Sequence, residues 1–190
     1  MQQLTSIGCD ERQAQYGGVR SLSVRELKLH RRRLSADLGM LLPSSPARGP
    51  VEFQLAAIDL EISCRRYLEA TYPAVPRNVR QARHAVETYI ANCPRAEARA
   101  DSVYLAVSEL ATNAVIHSAS ANFGTFTLRC EQHSDFVWVE VEDAGGPWHV
   151  RDVNPDDYAH GLEIINNLCD AWSADDIQNG RVVWARFNLR

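Results

Sequence analysis

Leucines recur at helical spacing early in the chain. Leu27, Leu34, Leu38 and Leu41, with Arg25, Lys28, Arg31, Arg32 and Arg33 between them, predict an amphipathic basic helix over 24–42. The stretch PSSPARGP at 43–50 then reads as a linker. Val51 to Ile62 has a periodicity that suits a strand or a short helix equally, and Arg66 to Tyr72 reads as a strand. Pro76 opens a helix in its first turn, where a missing N–H costs nothing. Val79, Ala82, Val86 and Ile90 form its apolar stripe, and Pro94 marks its end. A second helix is predicted from about Ala96 to His117, buried through Val103, Ala106, Val107, Leu110, Ala114 and Val115. Phe123 to Glu131 and Asp135 to Asp143 read as a hairpin, with Phe136, Trp138 and Glu140 alternating with Val137, Val139 and Val141. A loop rich in Gly, Pro and Asp covers 144–160, and Gly161 to Cys169 reads as a helix. Ala171 to Asp175 and Arg181 to Leu189 close the chain as strands around the turn DIQNG. This order predicts an α+β fold: a two-layer sandwich with helices on one face of a mixed, mostly antiparallel sheet.

Charge divides the same chain differently. Residues 1–50 hold eight of the 20 Lys and Arg but only four of the 24 Asp and Glu, which leaves twelve against twenty in the rest. The expected organisation is therefore a basic N-terminal extension over 1–50, polar and glycine-containing up to residue 21, and an acidic domain over 51–190. The overall charge of -4 argues against broad nucleic-acid binding. Five cysteines at 9, 64, 93, 130 and 169 form no CxxC pair and fit a reduced cytoplasm better than a disulfide framework. No apolar run approaches the roughly 20 residues of a membrane span, and the first twenty residues lack the apolar stretch of a signal peptide. A cytoplasmic protein with no membrane contact is expected.

Three segments carry candidate chemistry. In SELATNAVIH, residues 108–117, Glu109, Asn113 and His117 are each four apart and line one side of an otherwise apolar helix. By itself that row is also what a helix with a wet polar face shows. In VEVEDAGG, residues 139–146, a strand ends in Asp143, and Gly145 and Gly146 follow. A carboxylate there can accept from an exocyclic amine such as that of adenine, and glycines admit a ligand close to the backbone. Asp and Gly are equally ordinary turn residues. In YAHGLEII, residues 158–165, Gly161 stands at the start of the predicted helix, where free N–H groups and the dipole suit phosphate. An ordinary helix entry reads the same way.

In this order and spacing the segments resemble the GHKL (Bergerat-fold) ATPase superfamily. The likeness is greatest to the small anti-sigma factor serine/threonine kinases of actinobacterial type. SELATNAVIH is similar to that family's N box, EDAGGPW to its first glycine box, HGLEII to its second and NGRVVWARF to its closing strand. The resemblance covers roughly Arg66 to Leu189. It implies that Asn113 coordinates Mg²⁺ and, through it, the phosphates of ATP. It implies that Glu109 is the general base and that Asp143 binds the adenine amine. Gly145 and Gly146 would shape the adenine pocket. His160, Gly161 and Leu162 would stand at the phosphate end, with 144–160 as the lid. His117 is expected to be structural or peripheral.

Two positions depart from the family pattern. Ala159 replaces the first glycine of the second box, and Val182 stands where the closing strand often has Thr. The leading expectation is a kinase that binds a sigma factor or similar partner and phosphorylates an anti-anti-sigma (STAS-type) protein. Ala159 and Val182 favour the alternative, a non-catalytic regulatory module of the same fold acting through partners with weak or no ATP turnover. A histidine kinase would need a phosphoacceptor such as His30 on a two-helix dimerisation hairpin, for which one predicted N-terminal helix is too little. That helix is expected to dock on the body, on a twin subunit in a homodimer, or on a partner.

Overall fold

In the computed structural model, residues 22–118, 124–145 and 155–189 are described, with 155–160 by backbone alone. They divide into two compact units, one ending at Arg66 and one beginning at Tyr67. The sequence readings of residues 1–21 and of 146–154 lie outside the described residues.

The N-terminal unit is a hairpin of two helices, α1 (Val24–Met40) and α2 (Arg48–Cys64). Helix α1 starts with a capping box: the Ser23 hydroxyl accepts from the Glu26 N–H at 3.2 Å, and the Glu26 carboxylate accepts from the Ser23 N–H at 2.9 Å. Two otherwise orphaned donors are satisfied in this way. The segment whose periodicity suited strand and helix equally is helix. It begins inside the stretch read as linker, because Pro50 falls in the first turn, where no N–H is needed. Leu22 and Leu27 meet Ile58, with Leu34 and Ile62 against them. The Arg48 guanidinium donates to the Leu38 and Leu41 carbonyls at 3.3 and 3.1 Å, closing the C-terminal end of α1. The reading of a single N-terminal helix is thereby corrected to two.

The second unit carries a five-stranded sheet of β1 (Tyr67–Pro73), β2 (Thr125–Gln132), β3 (Phe136–Asp143), β4 (Ala171–Ile177) and β5 (Gly180–Asn188). Their order is β1-β2-β3-β5-β4, and every described pairing is antiparallel. The helices are α3 (Pro76–Ala91), α4 (Ala100–Ile116) and α5 (Pro155–Leu168). Their apolar stripes share one core with the odd-numbered residues of β3 and β5 and the even-numbered ones of β2, namely Phe126, Leu128 and Cys130. This is the predicted α+β sandwich, with the helix layer on one face of the sheet. Two helix starts moved. Pro94–Arg99 forms a 3₁₀ turn and α4 proper begins at Ala100. Helix α5 begins at Pro155, six residues before the expected Gly161. No helix among the described residues is long and apolar enough to cross a membrane.

The opposite face of the sheet is not simply wet. Trp138 and Trp184 stack there with centroids 4.3 Å apart, and both are buried. Glu140, in the same row, is fully buried, accepts from the Trp138 indole N–H at 3.1 Å and pairs with Arg129 at 3.1 Å. Arg129 also holds Glu69 and Glu142, at 3.0 and 2.8 Å. A buried carboxylate persists because its oxygens have partners.

Candidate functional site

Helix α4 presents Glu109 and Asn113 one turn apart, between the buried Leu110, Ala111 and Ala114. Both side chains are half-buried, and what faces them is the backbone of α5. A Cβ placed on Gly161 would lie 3.3 Å from the Glu109 Oε2 and 3.8 Å from the Asn113 Oδ1. The α5 backbone comes this close to both oxygens because residue 161 has no side chain. Burial raises the Glu109 carboxyl above its ordinary range, since an ionised group loses solvation there.

A second cluster forms where β3 ends. Asp143 Oδ1 accepts from the Gly145 N–H at 2.6 Å, which folds the chain into a tight turn after the strand. Gly145 has φ 64°, a left-handed conformation that favours glycine. Added Cβ atoms would strike backbone on both sides of this junction: Gly145 would meet the Gly180 carbonyl carbon at 2.9 Å, and Gly180 would meet the Asp143 carbonyl oxygen. Asp143 pairs in register with Arg181, and Arg181 with Asp176, whose carboxylate accepts from the guanidinium at 2.9 Å. Strand alternation puts Asp143 and Arg181 on the helix side, in step with Val141 and Val183 of the core. Burial raises the Asp143 carboxyl, while the Gly145 N–H and Arg181 pull it back.

The described contacts thus bring the candidate residues together as two groups: Glu109, Asn113 and Gly161, and Asp143 with Gly145. Leu162 follows Gly161 in α5 and is half-buried. Gly146 and the side chains of Ala159 and His160 lie outside the described residues. The expectation that Gly161 opens a helix is corrected. Counting Pro155 as the first residue, it is the seventh of α5, so its place in the fold is explained by close approach to α4 and not by a free helix end. The physical reason lies in the residues before it. Pro155, Asp156 and Asp157 are helix-start residues, a proline at the first position followed by acids near the positive dipole end, within a segment read as loop. Sequence reasoning missed Gly180 and Arg181. The NG turn was visible, but the register that sets Arg181 across from Asp143 was not.

Two further placements sharpen the site. His117 is the C-cap of α4, its backbone N–H donating to the Asn113 carbonyl at 2.8 Å, and burial lowers its imidazole. Val182 is fully buried but alternates with Val183, so it lies on the sheet face away from the helix layer.

The donor set fits a magnesium nucleotide. Asn113 offers one hard oxygen, Asp143 a partly desolvated acceptor, and Glu109 a carboxylate of raised pKa. Among the described residues no group of three or more His, Cys, Asp and Glu is placed to hold a metal alone. A Mg²⁺ ion would therefore take most of its ligands from phosphate oxygens and water, as this ion commonly does. A cleft of about 340 Å³ lined by Arg80, Gln81, Arg83, His84 and Glu87 lies on α3, and none of the candidate site residues is among those.

Comparison with known proteins bears on the fold and the family. No curated protein matches the sequence. Among solved structures, a chain of the SiaB–SiaC complex from Pseudomonas aeruginosa is similar, with a TM-score of 0.50 at 13% identity over 72% of this chain and 98% of that one. At that identity the likeness speaks for the fold. The model of the histidine kinase-like ATPase domain matches residues 72–187, which include Glu109, Asn113, Asp143 and Gly161. That match spans more than half of the sequence, and the chain belongs to the histidine kinase-like ATPase (GHKL) family.

Proposed function

We propose that this protein is an ATP-dependent serine/threonine kinase of the anti-sigma type. It would bind a sigma factor or similar regulator and phosphorylate an anti-anti-sigma antagonist of STAS type, in the cytoplasm. The observation that carries the reading is the row of Glu109 and Asn113 on α4, both half-buried, with the α5 backbone at Gly161 close against their oxygens.

In this reading Asp143 accepts a hydrogen bond from the adenine amine. Asn113 would hold Mg²⁺ through its Oδ1, and the ion would supply charge neutralisation at the phosphates. Glu109 would take the proton of the attacking hydroxyl as its oxygen bonds to the γ-phosphorus and the bond to the β–γ bridging oxygen breaks, with ADP leaving. Its burial supports that role, because a base works best with a pKa nearer the operating pH. The similar solved structure is of a two-protein complex, and a protein hydroxyl is the substrate this reading requires.

The alternative is a partner-binding module without turnover. One of its two supports has weakened, since Val182 points away from the helix side of the sheet. The test is incubation with Mg²⁺-ATP and cognate antagonists, with calorimetric titration of nucleotide alongside. Glu109→Ala should slow transfer by about 10²–10⁴-fold, the usual worth of a general base, and still bind nucleotide. Asn113→Ala should lose binding. A wild type that binds Mg²⁺-ATP but transfers to no cognate antagonist would leave the module reading standing. A wild type that fails to bind nucleotide would remove the kinase reading.

A further inference from the structure

Three charged side chains stand in one row across the end of the sheet. Asp143 on β3 pairs in register with Arg181 on β5, and Arg181 with Asp176 on β4. All three lie on the helix side, Asp143 in step with Val141, Arg181 with Val183 and Asp176 with Ala174. The middle member is a buried cation: the Arg181 side chain is 8% exposed, against 77% for Asp176. Asp143 is half-buried. One guanidinium therefore stands between a half-buried acid and an exposed one.

The row is held at both ends. The Asp176 carboxylate accepts from the Arg181 Nε–H at 2.9 Å, which ties the guanidinium to β4. The Gly145 N–H donates to the Asp143 Oδ1 at 2.6 Å, which fixes the other acid. Between them a Cβ on Gly180 would strike the Asp143 carbonyl oxygen, so β3 and β5 approach closely just before Arg181. The charged groups described around Asp143 are Arg181 on β5, Asp176 on β4 and Glu142 on its own strand. Of these, Arg181 favours the anion, while both acids oppose it, as burial does.

We infer that Arg181 is a positioning residue for the nucleotide: it keeps Asp143 in the anionic form that accepts from the adenine amine, and Asp176 sets how strongly it does so. The inference rests on the nucleotide reading and adds to it the residue that maintains the acceptor. An ionised acceptor makes the shorter and stronger hydrogen bond. Arg181 itself touches no nucleotide in this scheme. It acts through Asp143, across one strand spacing, and its second acid competes for the same charge.

The test has two arms, both on the full chain. The first follows the Asp143 side-chain carboxyl by carbon NMR across acid pH without nucleotide, the signal being identified by its loss in Asp143→Asn. The second measures Mg²⁺-ATP affinity by calorimetry over the same range. Arg181→Met removes the cation and should raise the Asp143 midpoint by about 1 pH unit, the lower end for losing a close opposite charge. Asp176→Asn removes a like charge and should lower the midpoint by about 0.3 pH unit or more, the effect of a unit charge two strand spacings away in water. Arg181→Lys keeps the cation and should restore most of the wild-type midpoint. The acid limb of nucleotide affinity should move in the same two opposite directions, with affinity near neutral pH almost unchanged. ATP titrates alike in every variant, so the differences belong to the protein. A merely structural role for Arg181 predicts lower stability with the limb in place. A carboxyl midpoint unmoved by Arg181→Met and Asp176→Asn overturns the inference and leaves the nucleotide reading intact, and so does a midpoint that moves without the affinity following. A wild type that binds no Mg²⁺-ATP removes the nucleotide reading, and with it the role given to Arg181. Should Arg181→Met lose its circular dichroism signal, the exposed Asp176→Asn decides by the direction of its shift.

Discussion

Gly161→Ala separates stability from function in this protein. The glycine sits inside α5, where replacing it with alanine removes the entropic penalty of glycine and stabilises by roughly 0.5–1 kcal/mol. Against that stands one tight contact. The new methyl lies 3.3 Å from the Glu109 Oε2, close enough that the neighbour must give by a few tenths of an ångström. The neighbour is the far end of a flexible carboxylate, which can swing aside at small cost. The second contact, 3.8 Å from the Asn113 Oδ1, is ordinary van der Waals separation. The balance should leave the variant as stable as the wild type or more so, with a melting temperature between unchanged and about 4 °C higher, at roughly 2–4 °C per kcal/mol for a chain of this size. Function should move the other way. The methyl crowds the Glu109 carboxylate, displaces it and strips more water from it. Titration calorimetry should show Mg²⁺-ATP affinity down at least ~10-fold, and Gly161→Val should lose binding altogether. A Gly161→Ala protein that melts unchanged and binds nucleotide like the wild type would refute the assignment of Glu109 and Asn113 to the nucleotide site. One that melts far lower would refute the packing argument.

Gly180→Ala should behave in the opposite sense. Its Cβ strikes the backbone carbonyl of Asp143, which cannot swing aside. A cost of about 2–3 kcal/mol is expected from overpacking, read as a melting temperature about 4–12 °C lower. Asp143→Asn keeps an acceptor for the Gly145 N–H but removes a charge whose burial is unfavourable, so nucleotide affinity should fall while stability at neutral pH holds or rises. The sign of its pH dependence follows from the raised carboxyl. The folded state holds the proton more tightly than the unfolded one, so this group's contribution to stability falls as pH rises through the window between its ordinary and raised values. Nucleotide affinity that depends on the ionised form falls as pH drops through the raised value, and calorimetry across acid pH should find that dependence gone in Asp143→Asn. Arg129→Ala takes from the fully buried Glu140 the guanidinium that pairs with it at 3.1 Å, and should cost about 3–5 kcal/mol in denaturant titration. The Glu140→Gln/Arg129→Met pair should recover most of that loss.

Elements with a strong periodicity and plain breakers were legible in the chain before any fold was known. The stripe from Val79 to Ile90, the apolar face of the Glu109 helix and the two-period alternation from Phe136 to Val141 each register a single kind of burial, and each was readable without a neighbour. The row of Glu109 and Asn113 and the strand-end position of Asp143 follow from the same local geometry. Local pattern did not settle α2, because a helix apolar on two sides has no clear period and reads equally as a strand. Nor did it settle the start of α5, where Pro155 and the acids after it carry both loop and helix-start signals. Tertiary structure alone decided what depends on partners distant in the chain. The register of β3 on β5 placed Arg181 across from Asp143 and turned Val182 to the other face. The approach of α5 to α4 set what a side chain at residue 161 would meet, which no single helix states, because the neighbours are Glu109 and Asn113 of the other helix.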